Sequence, residues 1–150
     1  MEIERKYLIE KENLPFELNT FPHRYIEQGY LSIDPVIRIR REDNAYELTY
    51  KSTGLMVREE RNLPLCEKAY RQLQQKIEGH LITKIRYEIP LSDDLIVELD
   101  VFQGKLSPLI LAEVEFLDIE SANSFVPPIW FSEEVTFSGK YHNSALSQPK

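Results

Sequence analysis

The sequence predicts a mainly β (α+β) chain: about eight antiparallel strands closed into a barrel around a charged interior, with a few flanking helices. Three observations lead there. Segment after segment alternates polar and apolar residues with period two, the signature of strands with one buried face. Short turns join these segments and one substantial helix interrupts them, so the strand–helix alternation of a parallel sheet is missing. In several segments the polar phase carries like charges at i and i+2, which repel unless something neutralises them.

The elements follow in order. Residues 1–7 form a strand with Glu2, Glu4 and Lys6 on one face and Ile3 and Tyr7 on the other. Residues 11–22 read as loop, broken by Pro15 and Pro22. Residues 24–33 are a Tyr- and Ile-rich strand, in which Gly29 marks a bulge or a close approach. Asp34-Pro35 turns the chain into 36–41, where Arg38 and Arg40 alternate with Ile37 and Ile39. After a turn at 42–44, residues 45–51 return with Glu47, Thr49 and Lys51 in phase, which completes a hairpin. A turn at 52–54 leads to a strand over 55–65 with Arg58, Glu60 and Asn62 in phase, ending near Pro64.

Tyr70, Leu73 and Ile77 recur at helical spacing, and Gly79 supplies a stop, so 67–78 is a helix. Three strands follow. Residues 81–90 carry Lys84, Arg86 and Glu88, residues 95–102 carry Glu98 and Asp100, and residues 109–116 carry Glu113 and Glu115. Turns or loops at 92–94 and 103–108 separate them. Residues 119–125 form a short helix stopped by Pro127-Pro128. The tail from Val135 carries Lys140, Tyr141 and His142 and is expected to end in a frayed polar stretch.

Any one charged pair, such as Arg38 with Arg40, reads as a solvated strand face. The recurrence of one phase rule through the chain reads differently. A closed barrel removes the sheet edges and gathers these side chains into one lumen, its apolar face turned outward under the helices and loops. The cations Lys6, Arg38, Arg40, Lys51, Arg58, Lys84 and Arg86 suit a compact polyanion, since arginine grips phosphate oxygens bidentately and lysine adds a point charge. The carboxylates Glu2, Glu4, Glu60, Glu98, Asp100, Glu113 and Glu115 suit an oxygen-ligated divalent metal, Mg2+ or Mn2+. Metal and phosphate in one cavity are the apparatus of phosphoryl transfer.

Composition narrows the classes. A chain of 150 residues, 42% hydrophobic, has the length of one domain over 1–150. The net charge of −7 argues against nucleic acid as a partner. One cysteine, Cys66, allows no internal disulfide and is expected as a small buried or semi-buried residue. Charge begins at Glu2 and no apolar run reaches the ~20 residues of a membrane span, so the expectation is a cytoplasmic protein without membrane attachment, monomeric or homodimeric. His23, His80 and His142 lack metal-ligand spacing and are expected at the surface. Trp130 is expected to pack, and Lys140 and Tyr141 to form a surface turn.

The residues Glu2-Ile3-Glu4-Arg5-Lys6 resemble the ExExK signature of the CYTH superfamily, the triphosphate tunnel metalloenzymes. The resemblance continues through Gln28-Gly29-Tyr30-Leu31, Val36 to Arg40, Leu48 to Lys51, Arg58 to Glu60, Lys84 to Tyr87, Glu98 to Phe102 and Glu113 to Glu115, and spans essentially the whole chain. It implies an eight-stranded antiparallel tunnel that binds a small-molecule triphosphate and divalent metal. Carried over by position, Glu2, Glu4, Glu113 and Glu115 would be metal ligands with Asp100 nearby. Lys6, Arg38, Arg40, Lys51, Arg58, Lys84 and Arg86 would hold the triphosphate. Lys6, Arg58 and Glu60 would serve catalysis, with Glu60 orienting a water. Where many relatives carry a second acid after the position of Glu60, this chain has Asn62.

Family members differ in chemistry, and a short chain of this kind resembles the inorganic triphosphatases. The alternatives are a thiamine or nucleoside triphosphatase, a class IV adenylate cyclase making cyclic AMP from ATP, a binding module without turnover, and an open sheet with a wet charged face. No aromatic or amide pair can be assigned to adenine.

Overall fold

The computed structural model describes residues 1–92 and 94–148; Asp93 of the expected 92–94 turn and the last two residues of the tail lie outside them. Among the described residues, nine strands form one antiparallel sheet. They are β1 (Glu2–Leu8), β2 (His23–Ile33), β3 (Val36–Glu42), β4 (Ala45–Lys51), β5 (Val57–Arg58), β6 (Glu60–Leu65), β7 (Glu78–Pro90), β8 (Ile96–Phe102) and β9 (Ile110–Glu115). Helices α1 (Glu67–Gln74), α2 (Ile119–Ser124) and α3 (Asn143–Leu146) flank it. No helix is long and apolar enough to cross a membrane among the described residues.

The strand order is β5-β1-β9-β8-β7-β2-β3-β4-β6. Its two ends are consecutive pieces of chain: β5 pairs with β1 and β6 with β4. The barrel is therefore nearly closed, its two edges joined by the chain itself through residue 59. This corrects the single strand expected over 55–65. One strand would have to serve two edges that diverge, and the chain breaks at Glu59 to do so. Ser52 holds the break, donating its N–H to the Glu59 carbonyl at 3.0 Å and accepting the Glu59 N–H on Oγ at 2.8 Å. Pro64 does not end β6, because this outermost strand can spare a backbone donor.

The expected helix over 67–78 stops at Gln74, and β7 begins at Glu78. Ile77 packs against Gly29, where a Cβ would lie 2.9 Å from its Cγ2. Its apolar signal thus marks a strand contact, and the β2–β7 register shifts beside Gly29. Gly79 is no helix stop either. It holds φ +70 inside β7, and any Cβ there would come 2.1 Å from the Ser147 carbonyl oxygen. The tail docks at that point, with the His80 N–H donating to Ser147 O at 2.8 Å. Cys66 is exposed, in the residue preceding α1, contrary to expectation: α1 packs through Tyr70, one turn further on.

The core lies mainly outside the barrel wall. Ile3 and Tyr7 of β1, Val97 and Leu99 of β8, and Ala112 and Val114 of β9 form one buried cluster with Trp130 and Phe131. The loop at 14–21 and Phe125 cover it. Burying a Val, Leu, Ile or Phe side chain from water contributes roughly 1.5–3 kcal/mol, so this layer fixes which phase of β1, β8 and β9 faces outward. A second cluster fills one end of the interior. Val36, Ile82, Phe102 and Leu111 share strand phases with Arg38, Lys84, Asp100 and Glu113, and pack with Tyr30, Val135, Tyr141 and Leu146. The interior face is charged toward one end and apolar toward the other.

Candidate active site

The charged phase lines one cavity of about 240 Å³. Glu2, Glu4, Lys6, Arg38, Arg40, Lys51, Arg58, Glu60, Arg86, Glu113 and Glu115 all face it. They reach it because each strand of an antiparallel barrel sends alternate side chains inward. The register sets their neighbours: Glu4 opposes Glu115, Lys6 opposes Glu113, Glu2 opposes Arg58, and Lys51 opposes Glu60.

The carboxylates gather on β1 and β9. Burial, then Glu113 and Glu2, push the Glu4 carboxyl up to about 8. Burial, then Glu2 and Glu98, push Glu115 up as well. Burial works the other way at Glu113, yet Lys6, Arg86 and Lys84 hold it well below the usual carboxylate range. Three of the four are turned toward a cation: Lys51 Nζ lies 3.0 Å from Glu2, Lys6 Nζ 3.5 Å from Glu113, and Arg58 Nη2 3.7 Å from Glu2 and 3.9 Å from Glu4. Among the described residues no three His, Cys, Asp or Glu side chains stand as a finished metal cage. The donor set nevertheless fits a hard divalent ion. It is all oxygen, and Glu4 is crowded enough to call for a proton or a cation.

The guanidiniums gather on β3 and β7. Burial, then Arg38 and Arg86, bring Arg40 down to about 10. Arg40 Nε donates to Gln28 Oε1 at 2.8 Å, and Arg38 Nη2 to Thr49 Oγ1 at 3.0 Å. Arg38 Nε is buried and has no partner among the described residues, a donor left for an anion. Although burial opposes it, Lys51 holds the Glu60 carboxyl below its ordinary range, helped by hydrogen bonds from neighbours.

Two expected site residues stand elsewhere. Asp100 and Lys84 are fully buried behind the cavity wall. Asp100 accepts from Arg86 at 2.7 and 2.9 Å and from Lys84 at 2.7 Å, so neither of its oxygens is left to join the other carboxylates. Lys84 spends its remaining reach on Asn143 Oδ1 at 3.0 Å. Its ammonium is brought down to about 7 by burial, against the pull of Asp100.

Other cavity residues escaped the sequence reading. Arg24 and Tyr30 line the cavity from β2. Their phase includes Ile26 and Gln28, so no run of like charges announced them. His142, Asn143 and Ser144 line it from the tail, which is neither frayed nor a surface turn at this point. Lys6 Nζ reaches the Tyr141 carbonyl at 3.4 Å. Burial, then Lys6 and Arg58, bring His142 down to about 4. Lys140 stays exposed over the Tyr141 ring.

Residues 1–145 match the CYTH domain family. An inorganic triphosphatase of Nitrosomonas europaea is 42% identical over 150 residues, covering 97% of this chain and 96% of its own. A solved inorganic triphosphatase superposes with a TM-score of 0.73 at 37% identity, covering 100% of this chain and 96% of that one. A solved Hippeastrum protein, a putative adenylyl cyclase with dominant triphosphatase activity, superposes at 0.64 with 17% identity over 82% of this chain and 83% of its own. At that identity the likeness concerns the fold alone. With the family match spanning nearly the whole sequence and the paired charges facing one cavity, this chain belongs to the CYTH family.

Proposed function

We propose that this chain is a metal-dependent triphosphatase that converts inorganic triphosphate to pyrophosphate and phosphate. The observation that carries the reading is the pairing of two unsatisfied walls in one cavity: crowded carboxylates on β1 and β9, crowded guanidiniums on β3 and β7. The identity to an inorganic triphosphatase supports the choice of substrate. Enzymes of this family are generally metal-dependent. Glu2, Glu4, Glu113 and Glu115 would hold Mg2+ or Mn2+, which supplies charge neutralisation and polarisation of phosphoryl oxygens when bound.

Lys6, Arg38, Arg40, Lys51, Arg58 and Arg86 hold the phosphates extended along the cavity. Asp100 acts from behind, fixing the Arg86 guanidinium by two short hydrogen bonds, and Lys84 holds Asp100 in place by a third. The oxygen of a water bonds to the terminal phosphorus, the bond from that phosphorus to the bridging oxygen breaks, and pyrophosphate leaves with its electron pair. Glu60, held low, is a poor base. It orients the water, and the proton passes to product phosphate or solvent.

Phosphorus NMR with Mg2+ or Mn2+ tests this, with inorganic triphosphate and ATP in separate tubes. The expected result is conversion of inorganic triphosphate to pyrophosphate and phosphate with ATP nearly untouched. Cyclic AMP from ATP, or no turnover in either tube, would overturn it.

A further inference from the structure

Arg24 belongs to no paired motif, yet it stands on the interior face of β2 at the cavity wall. Its register partner on β7 is Arg86. Two guanidiniums directly opposite on one face repel. Three carboxylates resolve the conflict. Arg24 Nε donates to Glu42 Oε2 at 3.1 Å, Nη1 donates to Glu88 Oε1 at 2.9 Å, and Nη2 lies 3.5 Å from Glu98 Oε2.

Two of these acids are shared. Glu42 turns its other oxygen to Arg40 Nη1 at 3.4 Å. Glu98 Oε2 also meets Arg86 Nη1 at 3.4 Å. A chain of alternating sign therefore runs Arg40–Glu42–Arg24–Glu98–Arg86 across β3, β2, β8 and β7. The two guanidiniums at its ends are ones that would grip phosphate. The Arg24 nitrogens all face carboxylates, so this side chain is not itself poised to grip an anion. Remove it, and Glu42 and Glu98 lose their competing partner. Each would then close fully on Arg40 or Arg86 and cover the guanidinium nitrogens that the anion would use.

We propose that Arg24 is a positioning residue for triphosphate binding: by holding Glu42 and Glu98, it keeps Arg40 and Arg86 available to the substrate. The inference rests on the triphosphatase reading above. It predicts a specific pattern in steady-state kinetics with inorganic triphosphate. Arg24→Gln should raise KM about tenfold, while kcat falls no more than about twofold, because the lost interaction is one of grip. Arg24→Lys should recover part of the loss, since an ammonium holds one carboxylate at a time. Adding Glu98→Gln or Glu42→Gln to Arg24→Gln should bring KM back toward wild type, because the freed acid no longer competes.

Glu47→Gln serves as the control. Glu47 also lines the cavity and stands opposite Arg40 in the β3–β4 register, but it makes no hydrogen bond or ion pair with Arg24, Arg40 or Arg86 and is no part of the alternating chain. If it rescued Arg24→Gln as well as Glu98→Gln does, a general field effect would replace positioning and the proposal would fail. An unchanged KM in Arg24→Gln, or equal losses in KM and kcat with a lowered Tm, would overturn it too. Wild-type turnover separates the two levels. An inert wild type overturns the triphosphatase reading and this inference with it, whereas an active wild type with an indifferent Arg24→Gln overturns only the role of Arg24.

Discussion

The two walls of the cavity are built alike and balanced differently. On the wall of β1 and β9, Glu4 faces Glu115 across the ladder with Glu2 and Glu113 beside them, and two of the four carboxyls are pushed upward. On the wall of β3 and β7 the guanidiniums crowd one another, and Arg40 is pushed downward. Each wall holds excess charge of its own sign. The ion pairs that Lys6 of β1, Lys51 of β4 and Arg58 of β5 make with the acidic wall do not cancel it. Deeper behind the second wall Asp100 answers both Arg86 and Lys84 at 2.7 Å, and neither it nor Lys84 touches the cavity. Lys84 and Asp100, sealed from the cavity, hold the barrel, whereas the charges that reach the cavity are crowded by their own sign and kept for a guest.

Breaking the first wall should have the largest effect. Glu4→Gln keeps the shape of the side chain but removes the charge a metal would use. Its kcat/KM for inorganic triphosphate should fall by roughly three orders of magnitude. A value within tenfold of wild type would mean that the acidic wall is not the metal-binding one.

Breaking this buried cluster should act on stability. Asp100→Ala leaves Arg86 and Lys84 buried without their partner, and loss of one member of a buried pair costs about 3–5 kcal/mol. Urea unfolding measures it. A loss below about 1 kcal/mol would show that water or a rearranged Glu113 replaces Asp100.

The pH dependence of the protein without added metal sharpens the contrast. Glu4 has its carboxyl raised from 4.5 to about 8 on folding, so its charged form is disfavoured in the native state. Its penalty is absent below pH 4.5, grows as pH rises toward 8, and is complete above that. Glu4→Gln should therefore melt about 5 °C higher than wild type at pH 8.5 and match it near pH 4.5. A melting difference independent of pH would rule out this source of strain.

The smallest effect belongs to a pair outside the barrel. Arg71 and Glu67 on α1 lie 3.6 Å apart in open solvent, and Arg71→Ala should change stability by less than about 0.5 kcal/mol.

Period two is a local property, and it told most of the interior face from the sequence. A strand that buries Ile3 and Tyr7 on one side must turn Glu2, Glu4 and Lys6 to the other, and the same holds for Arg38 with Arg40 and Glu113 with Glu115. Arg24 was hidden because Ile26 and Gln28 share its phase, and a mixed face looks like ordinary packing. Depth along the barrel was not legible either. Lys84 and Arg86 are two residues apart in one phase, yet one is sealed beneath Asp100 and Asn143 and the other faces the cavity.

The sequence by itself determined which side chains point inward, and with them the signs of charge that the interior must reconcile. Only the tertiary structure decided the rest. It broke one strand at Glu59 so that a single segment could join two edges, docked the tail on Gly79 so that His142 and Ser144 reached the cavity, and chose which charges found full partners. The physical reason is range: alternation is set by neighbouring residues, while closure, depth and pairing depend on different strands and the tail meeting in the folded barrel.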